Sequence, residues 1–267
     1  MQTKIIYEDD QVLVCHKPAG LATQSGRVGQ ADMVSELKKY LASEQCDLKI
    51  QHLQGQRTKV SEKTLSQTKG MDGRRNRFQE PYLGIIHRLD QPVEGLLVFA
   101  KTKEAAAKLT EQLVKGSLNK QYYAVVCGKR GAESGELVDY LVKDKDVARV
   151  SESGAADKEA KQAILQYKQV STTVTAVSDE QIDLSLLDIR IDTGRFHQIR
   201  VQMSHAGLPL LGDSKYGSEQ SLEISRKLGI RNAALYAYRV EFEHPKTGKK
   251  QVFQVEPKLP CGFGNIS

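Results

Sequence analysis

The sequence has no Cys-x-x-Cys pair among its four cysteines and no His-x-x-x-His pair among its six histidines. Cys15, Cys46, Cys127 and Cys261 are far apart, so zinc-site spacing is missing and no metal centre is expected. There is no Gly-x-x-x-x-Gly-Lys loop to cradle a nucleotide phosphate, and no nucleotide cofactor is expected. No apolar run approaches membrane-spanning length, and the opening Met-Gln-Thr-Lys-Ile-Ile-Tyr-Glu-Asp-Asp lacks the apolar centre of a signal peptide. These absences predict a cytoplasmic chain with free thiols and no membrane partner. No internal repeat is visible and no apolar stripe demands a mate, so a monomer is expected.

What is present is 267 residues with a formal charge of +6 and a pI near 9.0. That length suits one large domain or two smaller ones, and the charge favours an anionic partner. Much of the excess is local. From about 45 to 79 the chain is polar, with little periodicity, and between 57 and 77 Arg57, Lys59, Lys63, Lys69, Arg74, Arg75 and Arg77 are opposed only by Glu62 and Asp72. Clustered cations of this kind neutralise phosphates and release counterions, giving affinity without sequence reading; a solvated loop would have the same composition.

Around that stretch the pattern is of short strands with a few helices. Residues 4–16 read as a strand pair about an Asp9-Asp10 turn, and Asp32 caps a helix carrying Val34, Leu37 and Leu41 that ends near Glu44. Thr102 caps a second helix, with Ala106, Leu109 and Leu113 on one face and Gly116 as its stop. Tyr122–Val126 forms a strand, Glu136–Val150 a less regular strand pair, and Ser151–Glu159 a surface loop. In 182–191 the alternation changes phase after Leu186, which predicts a bulge or a strand covered on both faces. A further helix is expected from Thr193, with Ile199 and Met203 at i and i+4 and Gly207 and Pro209 closing it. Tyr236, Tyr238, Val240 and Phe242 alternate toward a turn, and Val252–Val255 returns as a hairpin. The sum is an α+β chain with a mixed, mostly antiparallel sheet.

The most informative stretch runs Gly84-Ile85-Ile86-His87-Arg88-Leu89-Asp90-Gln91-Pro92-Val93-Glu94-Gly95 and on through an apolar strand to Ala100. Asp90 sits at a strand edge between two buried segments. There an ionised carboxylate requires a nearby cation or several hydrogen bonds; Arg88, two positions back, is the nearest candidate, and a turn-capping aspartate is the structural alternative.

Gly-Ile-Ile-His-Arg-Leu-Asp resembles the catalytic motif of the RluA-type RNA pseudouridine synthases. Val14-Cys15-His16-Lys17-Pro18-Ala19-Gly20-Leu21 resembles that family's first strand and loop, and Lys120-Gln121-Tyr122-Tyr123-Ala124 its Lys-x-Tyr-x-Ala segment. Thr193-Gly194-Arg195-Phe196-His197-Gln198-Ile199-Arg200, continuing to Gly207-Leu208-Pro209-Leu210-Leu211-Gly212-Asp213, resembles its third motif. The likeness covers roughly residues 5 to 260. It implies the pseudouridine synthase fold, a bent sheet with a cleft across its middle, as one catalytic domain over 1–267. The basic stretch would be an insertion, and the small RNA-binding domain that many relatives carry ahead of the catalytic domain is expected to be missing.

The resemblance also implies roles. Asp90 is the expected nucleophile or initial base, Arg200 its ion-pair partner with Arg195 as the fallback, and Tyr122 the residue packed against the target base. Arg88 then belongs to the RNA, holding open the gap left by a turned-out uridine. Lys17, Arg195, His197, Gln198, Arg74, Arg75 and Arg77 are the remaining expected contacts to a structured ribosomal or transfer RNA. Two positions depart from the pattern: Val93-Glu94-Gly95 stands where relatives often have Thr-Ser-Gly, and Gln202 where a His is frequent. Competing readings are weaker. A glycosidase usually needs a second facing carboxylate, for which Glu94 is the only close candidate, and Asp192-Thr193-Gly194 has no second copy to form an aspartic-protease pair.

Overall fold

The structure, a computed structural model, describes residues 1–27, 29–43, 80–128, 133–177 and 180–263. Arg74, Arg75, Arg77 and the rest of the basic stretch lie outside the described residues, as does Glu44.

Among the described residues, eleven strands form a single mixed sheet. In chain order they are β1 (Lys4–Glu8), β2 (Val12–Lys17), β3 (Gly84–Ile85), β4 (Glu94–Ala100), β5 (Asn119–Cys127), β6 (Ser134–Asp144), β7 (Val147–Val150), β8 (Lys161–Val177), β9 (Glu180–Ile191), β10 (Leu235–Glu243) and β11 (Lys250–Gln254). The spatial order is β1-β2-β4-β10-β5-β9-β8-β6-β7, with β3 added to β4 and β11 to β10. Helix α1 covers 33–43 of the described residues, α2 Lys103–Lys115, α3 Gln198–His205 and α4 Glu219–Lys227.

The sheet forks at its middle. β4 and β10 pair in parallel at only two positions, Tyr236↔Glu94 and Ala237↔Gly95, and then diverge. β3 takes the freed edge of β4, and β11 that of β10. Gly95 makes the close approach possible: its φ is +133°, and a Cβ there would overlap the backbone of Ala237. α2 fills the fork, Ala105 and Leu109 packing with Val98, Ala100, Val240 and Phe242.

The local rules behind the expected elements hold. Asp32 Oδ1 accepts from the Ser35 N–H at the start of α1, and Thr102 caps α2 by accepting from the Ala105 N–H, with Gly116 left-handed at its end. In β9 the change of phase has a definite cause: Ile182, Leu184 and Leu186 enter a core with α4's Ile224, whereas Leu187 and Ile189 enter the main core with α1 and α3. Both faces are therefore covered, and the bulge sits on β8, where the pairing slips between Gln169 and Ser171.

One expectation is corrected. α3 begins at Gln198, five residues after Thr193. The Gln198 side chain accepts from the Thr193 hydroxyl and the Arg195 N–H while donating to the Ile164 carbonyl, and His197 is held at φ +54°. These bonds compete with helix formation and keep 193–197 as a turn. β8 and α4 had no counterpart in the sequence reading.

Candidate active site

Asp90 lies in the connection from β3 to β4, just before the fork. Its carboxylate is 23% exposed, and its Oδ2 accepts from Arg200 Nη1 at 3.1 Å. Arg200 comes from the buried first turn of α3, on the other side of the fork. Two more of its nitrogens are committed: Nε donates to Asp213 Oδ2 at 2.7 Å and Nη2 to Asp213 Oδ1 at 2.6 Å. This side-on pair is almost fully buried and fixes the guanidinium plane, leaving Nη1 for Asp90. Burial works against the arginine's charge, but the hydrogen bonds and charge of Asp213, joined by Asp90, raise its pKa above the ordinary value.

Asp213 is itself held by the backbone. The Lys215 and Tyr216 N–H groups donate to its Oδ1, and the preceding Gly212 turns at φ +71° against Asn232, where a side chain would overlap the backbone. The segment before it is bonded along β5, Cys127 N to the Pro209 carbonyl and Leu211 N to the Val125 carbonyl. β5 thus places Asp213 as well as Tyr122. Tyr122 is buried on the main-core face, and burial, aided by the charge on Asp90, raises its phenol pKa. Tyr123 faces the opposite way and stacks on Tyr238 at 3.9 Å between centroids.

His197 completes the wall. Its Nδ1 is 2.8 Å from the Tyr216 hydroxyl, which accepts from the Ala148 N–H and so has its own proton free for that nitrogen. The assignment leaves the ring proton on Nε2, which faces Asp90 Oδ2 at 3.7 Å. Burial, with the charges of Arg200 and Lys215, lowers the pKa of His197 to about 4 against the pull of Asp90, so the ring is neutral near pH 7.

Among the expected site residues, Asp90, Arg200 and Tyr122 are brought together and Arg88 stands exposed at the edge, its guanidinium donating to Gln24 rather than to Asp90. Arg195 is exposed, with Nε on the Gln162 carbonyl, and is not needed as a fallback for Arg200. Three expected RNA contacts are corrected. Lys17 is 0% exposed and its Nζ donates to the carbonyls of Pro18, Leu21 and Gln91; burial lowers its pKa to about 8, and it fastens the 17–21 loop to the segment carrying Asp90. His197 and Gln198 are buried and bonded within the protein. Glu94 pairs with His16 at 3.2 Å. Gln202 donates to Asp139 at 2.8 Å from a buried position. His87 is buried with Nε2 accepting from the Val98 N–H.

The reading from sequence missed Asp213 and Tyr216 as site members. The signal available was the order Gly212-Asp213-x-x-Tyr216, a carboxylate on a tight turn with an aromatic three residues later. Among the described residues no group of His, Cys, Asp or Glu side chains is disposed to hold a metal ion, and no helix is long and apolar enough to cross a membrane.

A partly open carboxylate paired to a clamped guanidinium, beside a neutral tyrosine at a fork in the sheet, suits reaction at one carbon of a bound substrate. A family model described as RNA pseudouridylate synthase matches residues 11–205. The chain belongs to the RNA pseudouridylate synthase family. Among the relatives it resembles is a ribosomal large subunit pseudouridine synthase D of Zymomonas mobilis, 32% identical over 257 residues that cover 95% of this chain and 68% of that protein. A tRNA pseudouridine synthase C of Haemophilus ducreyi is 29% identical, covering 94% of this chain and 89% of the relative. The fold matches that of human RNA pseudouridylate synthase domain containing 4, with a TM-score of 0.64 at 20% identity over 96% of this chain and 88% of that one. The pseudouridine synthase family catalyses an isomerisation, and the α+β sheet described above is its fold.

Proposed function

We propose that this chain isomerises specific uridines of ribosomal or transfer RNA to pseudouridine, with Asp90 as the essential carboxylate. The observation that carries the reading is the ion pair from Asp90 to Arg200, held in place by Asp213. The reaction breaks the bond from uracil N1 to the ribose, turns the base, and closes a bond from C5 to the same ribose carbon; one proton leaves C5 and one arrives at N1. Atoms and electrons balance within the substrate, so no cofactor enters the proposal.

In this reading Asp90 acts as nucleophile at the ribose or as the initial base, and Arg200 keeps it ionised. Tyr122 packs against the uracil, and its raised pKa keeps the phenol a neutral donor. Arg88 and Arg195, both exposed near the cleft, meet the RNA, as do Arg74, Arg75 and Arg77 of the 45–79 insertion. A uridine in a stacked helix must be turned out first, at a cost of a few kcal/mol that these cations help offset. The chain works as one catalytic domain, as a monomer, in a reducing cytoplasm that suits its buried free thiols Cys15 and Cys127.

The test uses deproteinised ribosomal and transfer RNA from cells lacking the gene. The wild-type protein should form pseudouridine with no change in RNA mass, and Asp90→Ala should form none while still binding RNA. Release of free uracil would replace the isomerase with a hydrolase. Product from Asp90→Ala at the wild-type rate would remove the carboxylate from the mechanism.

A further inference from the structure

Phe196 stands at the rim of the site. It is 38% exposed, a large apolar ring on the surface immediately before His197, whose Nε2 is 3.7 Å from the Asp90 carboxylate. Its ring stacks on the His197 imidazole, 3.7 Å between centroids and 22° from parallel. Lys143, from the end of β6, sets its ammonium nitrogen 4.8 Å from the Phe196 centroid; Lys143 is exposed and has no carboxylate partner among the described residues. Arg195, on the other side in sequence, is exposed as well. The backbone maintains this arrangement. His197 is held at φ +54°, a conformation unusual for a residue with a side chain, so that its imidazole turns in to Tyr216 and Asp90 while Phe196 stays out.

A rigid ring that shows its apolar surface beside a cation with no carboxylate partner among the described residues has the makings of a single-stranded nucleic-acid contact: every nucleobase has a face to stack, and each nucleotide carries a phosphate for a cation to meet. A protein partner would call for a wider apolar patch, whereas here a single ring carries Lys143 over its face and has Arg195 beside it in sequence. Because the imidazole beneath it is fixed, the ring is ordered before any ligand arrives, which lowers the entropy cost of stacking.

We propose that Phe196 is a stacking platform for a nucleobase flanking the uridine held at Asp90, and that Lys143 moves from the ring to that nucleotide's phosphate. The inference rests on the RNA-substrate reading above and adds a subsite to it. It concerns the nucleotides next to the target, and so the choice among candidate sites in an RNA.

The chain contains no tryptophan, so Phe196→Trp introduces a single fluorescent reporter at this position. With the same deproteinised RNA as probe, its emission should be quenched over the concentration range in which the RNA saturates the enzyme. Phe196→Ala should raise the half-saturating RNA concentration about tenfold, the scale of one lost base stack, and Phe196→Tyr or Phe196→Trp should restore it. Lys143→Ala should reduce the slope of log affinity against log salt by about one. Unquenched emission, or a half-saturating concentration for Phe196→Ala within twofold of wild type, overturns the proposal. So does a loss confined to kcat and the thermal midpoint, which would make the ring a cover for His197 alone. Quenching by RNA without pseudouridine formation would keep the platform and remove the catalytic reading. Pseudouridine formation with neither quenching nor an effect of Phe196→Ala would do the reverse.

Discussion

At the scale of single residues, the two carboxylates that share Arg200 differ in what they do for the protein. Asp213 is 0% exposed in its side chain and accepts from two arginine nitrogens and two backbone N–H groups. Removing its charge leaves a buried guanidinium without its main partner, a change that costs about 3–5 kcal/mol. Asp90 accepts from one arginine nitrogen at a partly open position, and its loss costs about 1–2 kcal/mol. Urea denaturation should therefore show Asp213→Asn strongly destabilised and Asp90→Ala mildly so, with neither forming product. Acid should expose a second residue effect. His197 is neutral when folded, with a pKa near 4 against an ordinary 6.5, so between those values the unfolded chain binds more protons than the folded one. Stability falls as pH drops through that window, by at most about 1.4 kcal/mol per pH unit for this group. His87, lowered to about 3 by burial and the nearby Lys120, adds an effect of the same sign. Thermal midpoints measured from pH 7 to pH 4 should fall more steeply for wild type than for His197→Gln. Asp90, Arg200 and Tyr122 were legible in the sequence because each stands in a motif of its own. Asp213 and Tyr216 were not, because their part depends on a turn at Gly212 that brings them to a partner already chosen.

At the scale of elements, the two strands that meet at the fork depend on a missing side chain. At Gly95 a Cβ would overlap the carbonyl and nitrogen of Ala237 at one of the two β4–β10 pairings, whereas at Gly116, also at positive φ, nothing lies within 4 Å. Gly116→Ala should thus cost only the backbone term, about 1 kcal/mol, and Gly95→Ala about 2–5 kcal/mol with a matching loss of activity. The comparison, by denaturation midpoint, separates backbone strain from closure of the fork. Capped helices such as α2 were readable because cap, apolar face and glycine stop are all local. β8 was not, although Ala163, Leu165 and Tyr167 alternate into the core: its other face mixes Gln162, Gln166 and Lys168 with Ile164, and beyond the slip near Val170 its residues are largely exposed. α3 was placed too early for a related reason. Thr193 has the chemistry of a helix cap, but its hydroxyl is engaged with the side chain of Gln198.

At the scale of the whole molecule, β1-β2-β4 and β5-β9-β8-β6-β7 are two flanks joined through β10, and the β4–β10 seam has two paired positions where β8 and β9 share a long ladder. The site straddles that seam: Asp90 belongs to the β4 side, and Arg200, Asp213 and Tyr122 belong to the β5 side. The contact between Asp90 and Arg200 is therefore also a tie across the least-paired line between the two flanks and β10. Losing a charge-assisted hydrogen bond of this kind changes a local opening equilibrium by roughly tenfold or more. Amides of residues 94–96 and 236–238 should exchange with deuterium at least about tenfold faster in Asp90→Ala than in wild type, while those of the β8–β9 ladder keep their rates. Equal acceleration in both regions would mean that the whole domain had been destabilised and that the ion pair does not brace the seam. RNA that bridges the two sides should slow the seam amides of the wild-type protein, and because Arg200 keeps its clamp on Asp213 in Asp90→Ala, the variant should recover part of that protection when RNA binds.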